Sequence, residues 1–210
     1  MLIEKIPSGP FSTNAYVLAC PKTKQAVVVD PAPESAPLIS KFVSAQGLTP
    51  VSILITHSHW DHIGDVAALQ ALYNIPVLIH HDDAPNLIKP GADGLPCWLN
   101  IPGIEPSGYL LDGQKIKFGK CELEVIYTPG HSPGGVCFYI PKEHALISGD
   151  TLFKGTIGNL SFPTARPHLM WDSLKRLADL PAETVVYPGH GPNTTIGEEP
   201  WLSNAESMFT

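Results

Sequence analysis

The chain has 210 residues, of which 43% are hydrophobic and 16% charged, a composition typical of a globular protein with one substantial core. Its net charge of −7, without any cluster of Lys or Arg, argues against nucleic acid or an anionic membrane as the main partner. No apolar run reaches the length of a transmembrane helix, and residues 1–7 lack a signal-peptide pattern.

The first half of the chain alternates short apolar patterns, typical of strands, with two helical patterns. We predict strands at residues 2–6, 14–20, 25–29, 51–56 and 76–79. Helices are predicted at 36–45, where Gly47 supplies the stop, and at 63–73. Residues 83–108 are rich in Pro, Gly and Asn, and we expect a long irregular connection that is either a functional rim or a plain surface excursion.

The second half continues with short strands and ends in helical patterns. Strands are predicted at residues 115–118, 123–127, 136–140, 145–147 and 185–187, and helices at 170–178 and 198–208. This order favours two facing sheets with helices outside, a layered α/β architecture rather than alternating βαβ units. We expect one domain over residues 1–210.

The four cysteines are widely spaced and form no Cys-x-x-Cys pair. Three of them have apolar sequence neighbours, so we expect buried thiols, although a disulfide remains open. Buried thiols are typical of the reducing cytosol, and we therefore expect a cytoplasmic protein. The cysteines are Cys20, Cys97, Cys121 and Cys137.

The densest chemical signal follows the predicted strand 51–56, where residues 56–62 read THSHWDH. His57 and His59 are two residues apart, so in extended chain they lean to the same side, and Asp61 and His62 follow after a turn. Imidazole and carboxylate groups suit zinc, iron or manganese. Four such groups exceed what one open site needs from a single loop, which indicates two metals, or one metal with a supporting pair. A His-rich solvated loop is the alternative interpretation.

Three later strand ends each carry one residue of the same chemical type next to glycine. His131 lies in the TPGHSPGG segment, Asp150 follows Gly149, and His190 follows Gly189. Glycine allows a backbone and a side chain to approach one centre closely. We expect these residues to meet the first loop at one edge of a sandwich.

Together, the THSHWDH loop, His131, the Gly149-Asp150 pair and the Pro188-Gly189-His190 segment resemble the metallo-β-lactamase superfamily, and most closely its glyoxalase II-like hydrolases. The resemblance implies an αββα sandwich of two mixed sheets. It implies that one metal ion is held by His57, His59 and His131, a second by Asp61, His62 and His190, and that Asp150 bridges them. Zinc is the expected metal, with iron or manganese as alternatives. Asp30 matches an aspartate that supports the ligand loop in this family, and a simple turn residue is the alternative.

The implied activity is hydrolysis of thioesters such as S-lactoylglutathione. A water shared by two cations has its pKa lowered towards ~7, which makes hydroxide available at neutral pH. Asp61 and Asp150 are the implied catalytic residues, because Asp61 is placed to orient the attacking hydroxide. The expected partner is a small-molecule thioester, and we expect neither nucleic acid nor membrane as a partner.

The sequence departs from glyoxalase II at positions that would recognise glutathione. We expect no C-terminal helical domain, Asn159 stands at a position that is usually basic, and Pro192 at one that is often aromatic. Lys154 and Arg166 are candidate substitutes, so Lys154, Asn159 and Arg166 are the predicted substrate contacts. For His80, His81 and His144 we expect ordinary surface roles.

Two other functions fit the same motifs. A mononuclear iron persulfide dioxygenase of this superfamily would use His57, His131 and Asp150 as a two-histidine, one-carboxylate triad. A non-catalytic metal-binding protein is a third interpretation. A true β-lactamase is disfavoured, because zinc lactamases of the nearest pattern carry cysteine where Asp150 stands.

Overall fold

Two six-stranded sheets form the middle of the molecule in the computed structural model, which describes residues 1–209. In the first sheet, neighbouring strands follow chain order, with antiparallel pairing up to the third strand and parallel pairing from there on. Its strands are β1 (Leu2–Ser8), β2 (Thr13–Ala19), β3 (Gln25–Val29), β4 (Thr49–Leu54), β5 (Val77–His80) and β6 (Gly108–Leu110).

The second sheet is built from the second half of the chain. The strands there are β7 (Lys115–Phe118), β8 (Cys121–Tyr127), β9 (Val136–Ile140), β10 (Ala145–Gly149), β11 (Leu152–Phe153), β12 (Thr156–Ile157), β13 (Val185–Pro188) and β14 (Thr194–Thr195). Six of them form the sheet in the order β14-β13-β10-β9-β8-β7, and β11 pairs with β12 in a separate hairpin. Because β8, β10 and β13 run in the same direction, their carboxyl ends reach the same edge.

Helices cover the outer faces of both sheets. The α-helices are α1 (Ser35–Gln46), α2 (Trp60–Ile63), α3 (Val66–Tyr73), α4 (Ala84–Ile88), α5 (Pro167–Ala178) and α6 (Ala205–Phe209). Short 3-10 turns lie at Pro141–Glu143, Ile196–Glu198 and Pro200–Asn204. α1 ends at Gly47, which adopts a left-handed conformation with φ 61° and donates its N–H to the carbonyl of Ser44, as the sequence predicts.

Alternating side chains along the strands sort the core into three layers. Tyr16 and Leu18 of β2 pack between the two sheets, whereas Ala15 and Val17 of the same strand face the helices. In β8, Val125 points to the space between the sheets, whereas Ile126 packs under α5. The layered α/β fold, an αββα sandwich, is therefore confirmed.

Some predicted elements differ in the structure. The helix predicted at 63–73 is split into α2 and α3, because Gly64 packs against Pro33 and Asp65 accepts a hydrogen bond from the N–H of Ala36 at 2.7 Å. The connection 83–108 contains α4 and the first residue of β6. The helix predicted at 198–208 is broken into 3-10 turns before α6, where Pro200 cannot continue a helical hydrogen-bond pattern.

All four cysteines are free thiols, and two of them, Cys20 and Cys137, are buried. Cys97 and Cys121 are half-buried, so the expectation of three buried thiols holds for two. Among residues 1–209, every helix is too short or too polar to span a membrane.

Candidate metal centre

The first loop of the site leaves the carboxyl end of β4 and turns into the single helical turn α2. His57 and His59 precede α2, and Asp61 and His62 lie on it. All four side chains are buried. The change from extended chain to helical turn directs the two pairs from different sides, as the spacing predicts.

The second sheet supplies three further side chains from its carboxyl edge. His131 follows β8, Asp150 follows β10 directly, and His190 follows β13. Gly189 is required beside them, because a Cβ there would overlap a carboxylate oxygen of Asp150 and lie 2.7 Å from Cε1 of His62. The structure thus brings together all seven residues that the sequence singles out.

The seven side chains form two groups of three with one carboxylate between them. Asp150 Oδ2 lies 3.4 Å from His131 Nε2, and Asp150 Oδ1 lies 3.3 Å from His62 Nε2. In each group of three, the candidate ligand atoms lie within 4.8 Å of one another. The groups are His57, His59 and His131, and Asp61, His62 and His190.

Buried atoms without hydrogen-bond partners show that this set fits a cation. Among residues 1–209, no hydrogen-bond partner is found for Asp150 Oδ1 or for the Nε2 atoms of His57, His59, His62 and His131. An unpartnered buried polar group costs about 1–3 kcal/mol, so five of them around one centre are unfavourable unless ions bind there. The donor set of imidazole and carboxylate suits divalent metal ions.

The electrostatics of the site match the same interpretation. Burial lowers the pKa of His59 to about 3 and holds that of His57 well below its usual value, so both imidazoles are neutral, as ligands must be. Burial alone would raise the pKa of Asp150, but the charge of His62 and the contact with His190 hold it well below the usual range. His57 and His59 are therefore neutral beside an ionised Asp150. Burial would lower the pKa of His62 and of His190, but the charges and contacts of Asp150 and Asp61 raise the first well above its usual value and the second to about 9, so these two imidazoles must release a proton before they bind a metal ion.

Asp30 and Thr56 orient two of the histidines from behind. Asp30 accepts hydrogen bonds from the Thr56 N–H at 2.7 Å, the Thr56 hydroxyl at 2.5 Å and His62 Nδ1 at 2.9 Å. His57 Nδ1 lies 3.1 Å from the Thr56 hydroxyl oxygen. With these contacts on Nδ1, the Nε2 atoms of both rings face the centre. Asp30 supports the ligand loop, as the resemblance implies, and its φ of 48° makes it a turn residue as well.

Backbone carbonyls orient two other histidines. His131 Nδ1 donates to the carbonyl of Asn159 at 2.9 Å, and His190 Nδ1 contacts the carbonyl of Phe11 at 3.3 Å. The Thr13 hydroxyl donates to Asp61 Oδ2 at 2.7 Å. The two histidine contacts leave Nε2 of each ring free to face the centre, whereas the Asp61 oxygen that accepts from Thr13 is the one that lies 3.2 Å from His190 Nε2.

Asp83 joins the two ligand loops to each other. Its buried carboxylate accepts the N–H of Ser58 at 2.8 Å and the N–H of Gly134 at 2.6 Å. Asn86 of α4 donates to the carbonyl of Ser58 in addition. The segment that begins the connection 83–108 is thus a support for the site rather than a plain excursion.

We expect Asp83→Asn to change how stability depends on pH. Burial raises the pKa of Asp83 to about 6, against a usual value near 4, so the folded state prefers the protonated carboxyl. That preference stabilises the wild type below pH ~4 and is lost as the pH rises through about 6. The unfolding free energy of the wild type, relative to Asp83→Asn, should fall by about 2 kcal/mol between pH 4 and pH 7. Urea unfolding of both proteins in a chelator measures this difference.

The matched control for this comparison is Asp82→Asn, which removes the exposed carboxylate one residue earlier in the chain. If the unfolding free energies of the wild type and Asp83→Asn changed with pH in the same way over this range, the assigned pKa would be contradicted.

A cavity of about 320 Å³ opens onto the centre. Its walls are aromatic or apolar apart from the ligand residues. The lining residues are Phe11, His59, Trp60, Asp61, Leu95, Pro96, Trp98, His131, Asp150, Phe162 and His190.

The three predicted substrate contacts do not line this cavity. Lys154, Asn159 and Arg166 are exposed, and Asn159 acts on the site through its backbone carbonyl, which holds His131. Their side chains as substrate contacts stay a prediction.

The expected surface role of His80 is wrong. His80 is buried, and its ring stacks on that of Tyr127 with 4.4 Å between the centroids and 16° between the planes. His80 is the last residue of β5, and the ring of Tyr127, the last residue of β8, covers it. His81 and His144 are exposed, as expected.

Sequence reasoning did not identify Thr13, Asp83 or the aromatic cavity residues. Thr13, at the start of β2, donates to Asp61. Asp83, in the turn after β5, accepts from the N–H of Ser58. None of these contacts has a local sequence signature. Asp83 carried one available signal, because it follows a predicted strand as the other site residues do.

Comparison with known proteins agrees with this geometry. The chain is 35% identical over 199 residues to the probable metallo-hydrolase YqgX of Bacillus subtilis, with 92% of each chain covered. It is 34% identical over 170 residues to a hydroxyacylglutathione hydrolase of Mesorhizobium japonicum, which covers 81% of this chain and 59% of that protein.

Solved structures give the same picture. The B3 metallo-beta-lactamase BLEG-1 superimposes with a TM-score of 0.88 at 37% identity, covering 96% of this chain and 100% of the other. TTHA1623 in a di-iron-bound form gives 0.81 at 40% identity, covering 93% and 96%. ETHE1 from Myxococcus xanthus gives 0.78 at 25% identity, covering 97% and 85%.

The profile of the metallo-beta-lactamase superfamily matches residues 8–190, a range that contains all seven candidate ligands. The fold, the two His/Asp groups and these relatives support a metal-dependent hydrolase or a related enzyme that uses divalent ions. The chain belongs to the metallo-beta-lactamase superfamily.

Proposed function

We propose that this protein is a binuclear metal-dependent hydrolase of acyl substrates, most specifically of thioesters of the S-lactoylglutathione type. One observation carries the proposal: two groups of three ligand-type residues are both present, with Asp150 between them at 3.3 Å and 3.4 Å from one histidine of each. A mononuclear enzyme has no need of the second group. The likeness to hydroxyacylglutathione hydrolases supports the thioester as the substrate class.

Two divalent ions, when bound, lower the pKa of a water between them and polarise an acyl carbonyl. The side chains of this protein supply the orientation that the reaction needs. Asp61 is fixed by the Thr13 hydroxyl at 2.7 Å, lines the cavity, and is placed to accept a hydrogen bond from the attacking water. His59, His131 and Asp150 line the same cavity, so a substrate carbonyl can reach both groups of ligands.

Zinc is the metal that we propose. Three imidazole or carboxylate ligands with a further position left for water are typical of catalytic zinc, and each of the two groups supplies three such ligands. The di-iron-bound form of TTHA1623 supports iron as the alternative, since both metals accept the same donors.

The second candidate function is persulfide dioxygenation at a single iron held by His57, His131 and Asp150. The likeness to ETHE1 favours it. The hydrolase is preferred because His190, Asp61 and His62 form a complete second group, in which a single iron at the other site would leave the buried His62 Nε2 without a partner.

We expect two metal ions per chain and hydrolysis that depends on them. The measurement is elemental analysis of the purified protein after dialysis against zinc, together with an S-lactoylglutathione assay before and after chelation. Hydrolysis should stop with the chelator and return with zinc. One ion per chain, with oxygen uptake on glutathione persulfide by a second sample loaded with iron(II) instead of hydrolysis by either sample, would establish the dioxygenase. Two bound ions with neither activity, on any acyl substrate including a chromogenic β-lactam, would leave a metal-binding protein.

A further inference from the structure

Three aromatic side chains from separate parts of the chain line one side of the cavity. We call Phe11, Trp60 and Trp98 the aromatic wall. The ring centroids of Phe11 and Trp60 are 5.1 Å apart, those of Trp60 and Trp98 are 5.0 Å apart, and those of Phe11 and Trp98 are 6.0 Å apart. These separations are those of rings in mutual contact. The aromatic wall is therefore one continuous apolar surface.

The aromatic wall is fixed at its inner end and exposed to solvent at its outer end. Trp60 is 4% exposed and lies in the chain between the candidate ligands His59 and Asp61. Phe11 is 52% exposed and Trp98 is 65% exposed. Contiguous exposed apolar surface beside polar groups is unfavourable in water and typically marks a ligand-binding site. Here it begins directly beside the candidate ligands.

The rest of the cavity is also apolar where it is not made of ligand residues. Leu95 and Pro96 continue the wall, and the ring of Phe162 contacts those of His59 and His131 with centroid distances of 5.3 Å and 5.5 Å. The lining contains no Lys or Arg. An anionic peptide-like group would find no Lys or Arg side chain to pair with in this lining, whereas a flat apolar group would exchange water for aromatic contacts.

We propose that the site selects acyl substrates that carry a flat apolar group, an aromatic ring in particular, within a few bonds of the scissile bond, and that Trp98 and Phe11 bind this group. The inference rests on the proposed hydrolysis of thioesters and, within that class, ranks ring-bearing substrates ahead of S-lactoylglutathione. In the reaction, the oxygen of water bonds to the acyl carbon and the carbon–sulfur bond breaks. The sulfur leaves as a thiol with one proton of that water, and the acyl group leaves as a carboxylic acid.

Matched thioesters test the inference in metal-loaded protein. The reference is the acetyl thioester of N-acetylcysteamine. The phenylacetyl thioester of N-acetylcysteamine places a ring on the acyl side, and the acetyl thioester of benzyl mercaptan places it on the thiol side. After division by each compound's rate of spontaneous hydrolysis, kcat/KM should be about 10-fold higher for at least one ring-bearing thioester than for the reference.

Substitution within the aromatic wall should remove that preference. In Trp98→Ala, the ring-bearing thioester should lose about 10-fold in kcat/KM while the reference changes little. The matched control is Tyr109→Ala, which removes an aromatic ring that is 53% exposed and lies outside the cavity lining. Phe11→Ala is the second test variant. It removes the ring but keeps the backbone carbonyl of residue 11, which contacts His190 Nδ1.

Binding gives a readout that does not depend on turnover. The ligand is a ketone analogue of the preferred ring-bearing thioester, in which CH₂ replaces the sulfur so that it cannot be hydrolysed. Its Kd is measured by the quenching of tryptophan fluorescence or by calorimetry. Calorimetry should give a Kd about 10-fold higher for Trp98→Ala than for the wild type or Tyr109→Ala.

The outcomes separate the two proposals. Hydrolysis of all three thioesters at equal normalised rates, unchanged in Trp98→Ala, would overturn the inference and leave the proposed hydrolase standing. Faster hydrolysis of S-lactoylglutathione than of either ring-bearing compound would also overturn it. No hydrolysis of any thioester by protein that holds two ions would overturn the proposed function, and with it the inference.

Discussion

Replacing Asp150 with alanine should nearly abolish hydrolysis and weaken the binding of both metal ions, while the sandwich still folds. Asp150 lies between the two ligand groups, with one oxygen 3.3 Å from His62 Nε2 and the other 3.4 Å from His131 Nε2. Two cations held close together repel each other strongly in a buried site unless an anion lies between them. We expect a loss in turnover on the order of 10²–10⁴-fold, the range for a group that acts at the reacting atoms.

The experiment compares metal content, thioester hydrolysis and circular dichroism of the wild type, Asp150→Ala and Asp150→Asn. The asparagine variant keeps the shape of the side chain and removes its charge. It therefore separates the effect of losing the charge from the effect of losing the whole side chain. Asp172→Ala is the control, because that carboxylate on α5 is exposed and lies far along the chain from the ligands. Normal turnover and two bound ions in Asp150→Ala would show that Asp150 does not bridge the ions.

The second large effect is expected for Asp30→Ala, which removes no candidate ligand. Asp30 accepts three hydrogen bonds, two from Thr56 and one from His62 Nδ1, and all of these groups are buried. Removing one partner of a buried, hydrogen-bonded charged pair costs on the order of 3–5 kcal/mol. Without the contact, His62 also loses the bond that fixes its ring, and loss of such a partner lowers metal affinity about 10–100-fold.

Urea unfolding of the metal-free protein and competition titration with zinc measure the two effects separately. Thr56→Val is the matched control, because it keeps the side-chain shape and removes only the hydroxyl that contacts Asp30 and His57. It should lose about 1–3 kcal/mol. An unfolding free energy of Asp30→Ala within 1 kcal/mol of the wild type would show that Asp30 is only a turn residue.

The positions of the candidate ligands were predictable because each follows an apolar strand that the sequence itself reveals. Strand β10, for example, is predicted at 145–147 and found at Ala145–Gly149, and the candidate ligand Asp150 follows it directly. Once parallel strand ends meet at one edge, the residues that follow them converge. Local pattern and topology were sufficient for this part of the site.

The supporting contacts were not predictable in the same way. Asp83 meets Ser58 and Gly134, which lie 25 and 51 residues away along the chain. Hydrophobic periodicity reports only the face of one element and carries no information on such pairings. The same limit explains why the helix predicted at 63–73 is broken, since Pro33 lies against Gly64 from a distant part of the chain.

The cavity wall shows a further limit of motif reasoning. The family pattern drew attention to basic positions, and hence to Lys154, Asn159 and Arg166. The apolar lining of the cavity is instead formed by Phe11, Trp60 and their neighbours in space, which come from four separated segments. Side chains that follow no shared motif become recognisable as one surface only when the fold brings them together.

The distribution of the candidate ligands over both sheets has a mechanical consequence. Each group of three takes members from the loop after β4 of the first sheet and from strand ends of the second. A bound ion would therefore act as a cross-link between the two halves of the sandwich, placed at one end only. The sheets could separate at that end only by breaking coordination bonds, whereas the opposite end is held by side-chain packing and by weaker polar contacts, such as the hydrogen bond from the Gly119 N–H to Gln25 Oε1 and the ion pair of the Met1 amino group with Glu143. Slow unfolding of the metal-loaded protein would then start with separation of the sheets at the end farthest from the ions.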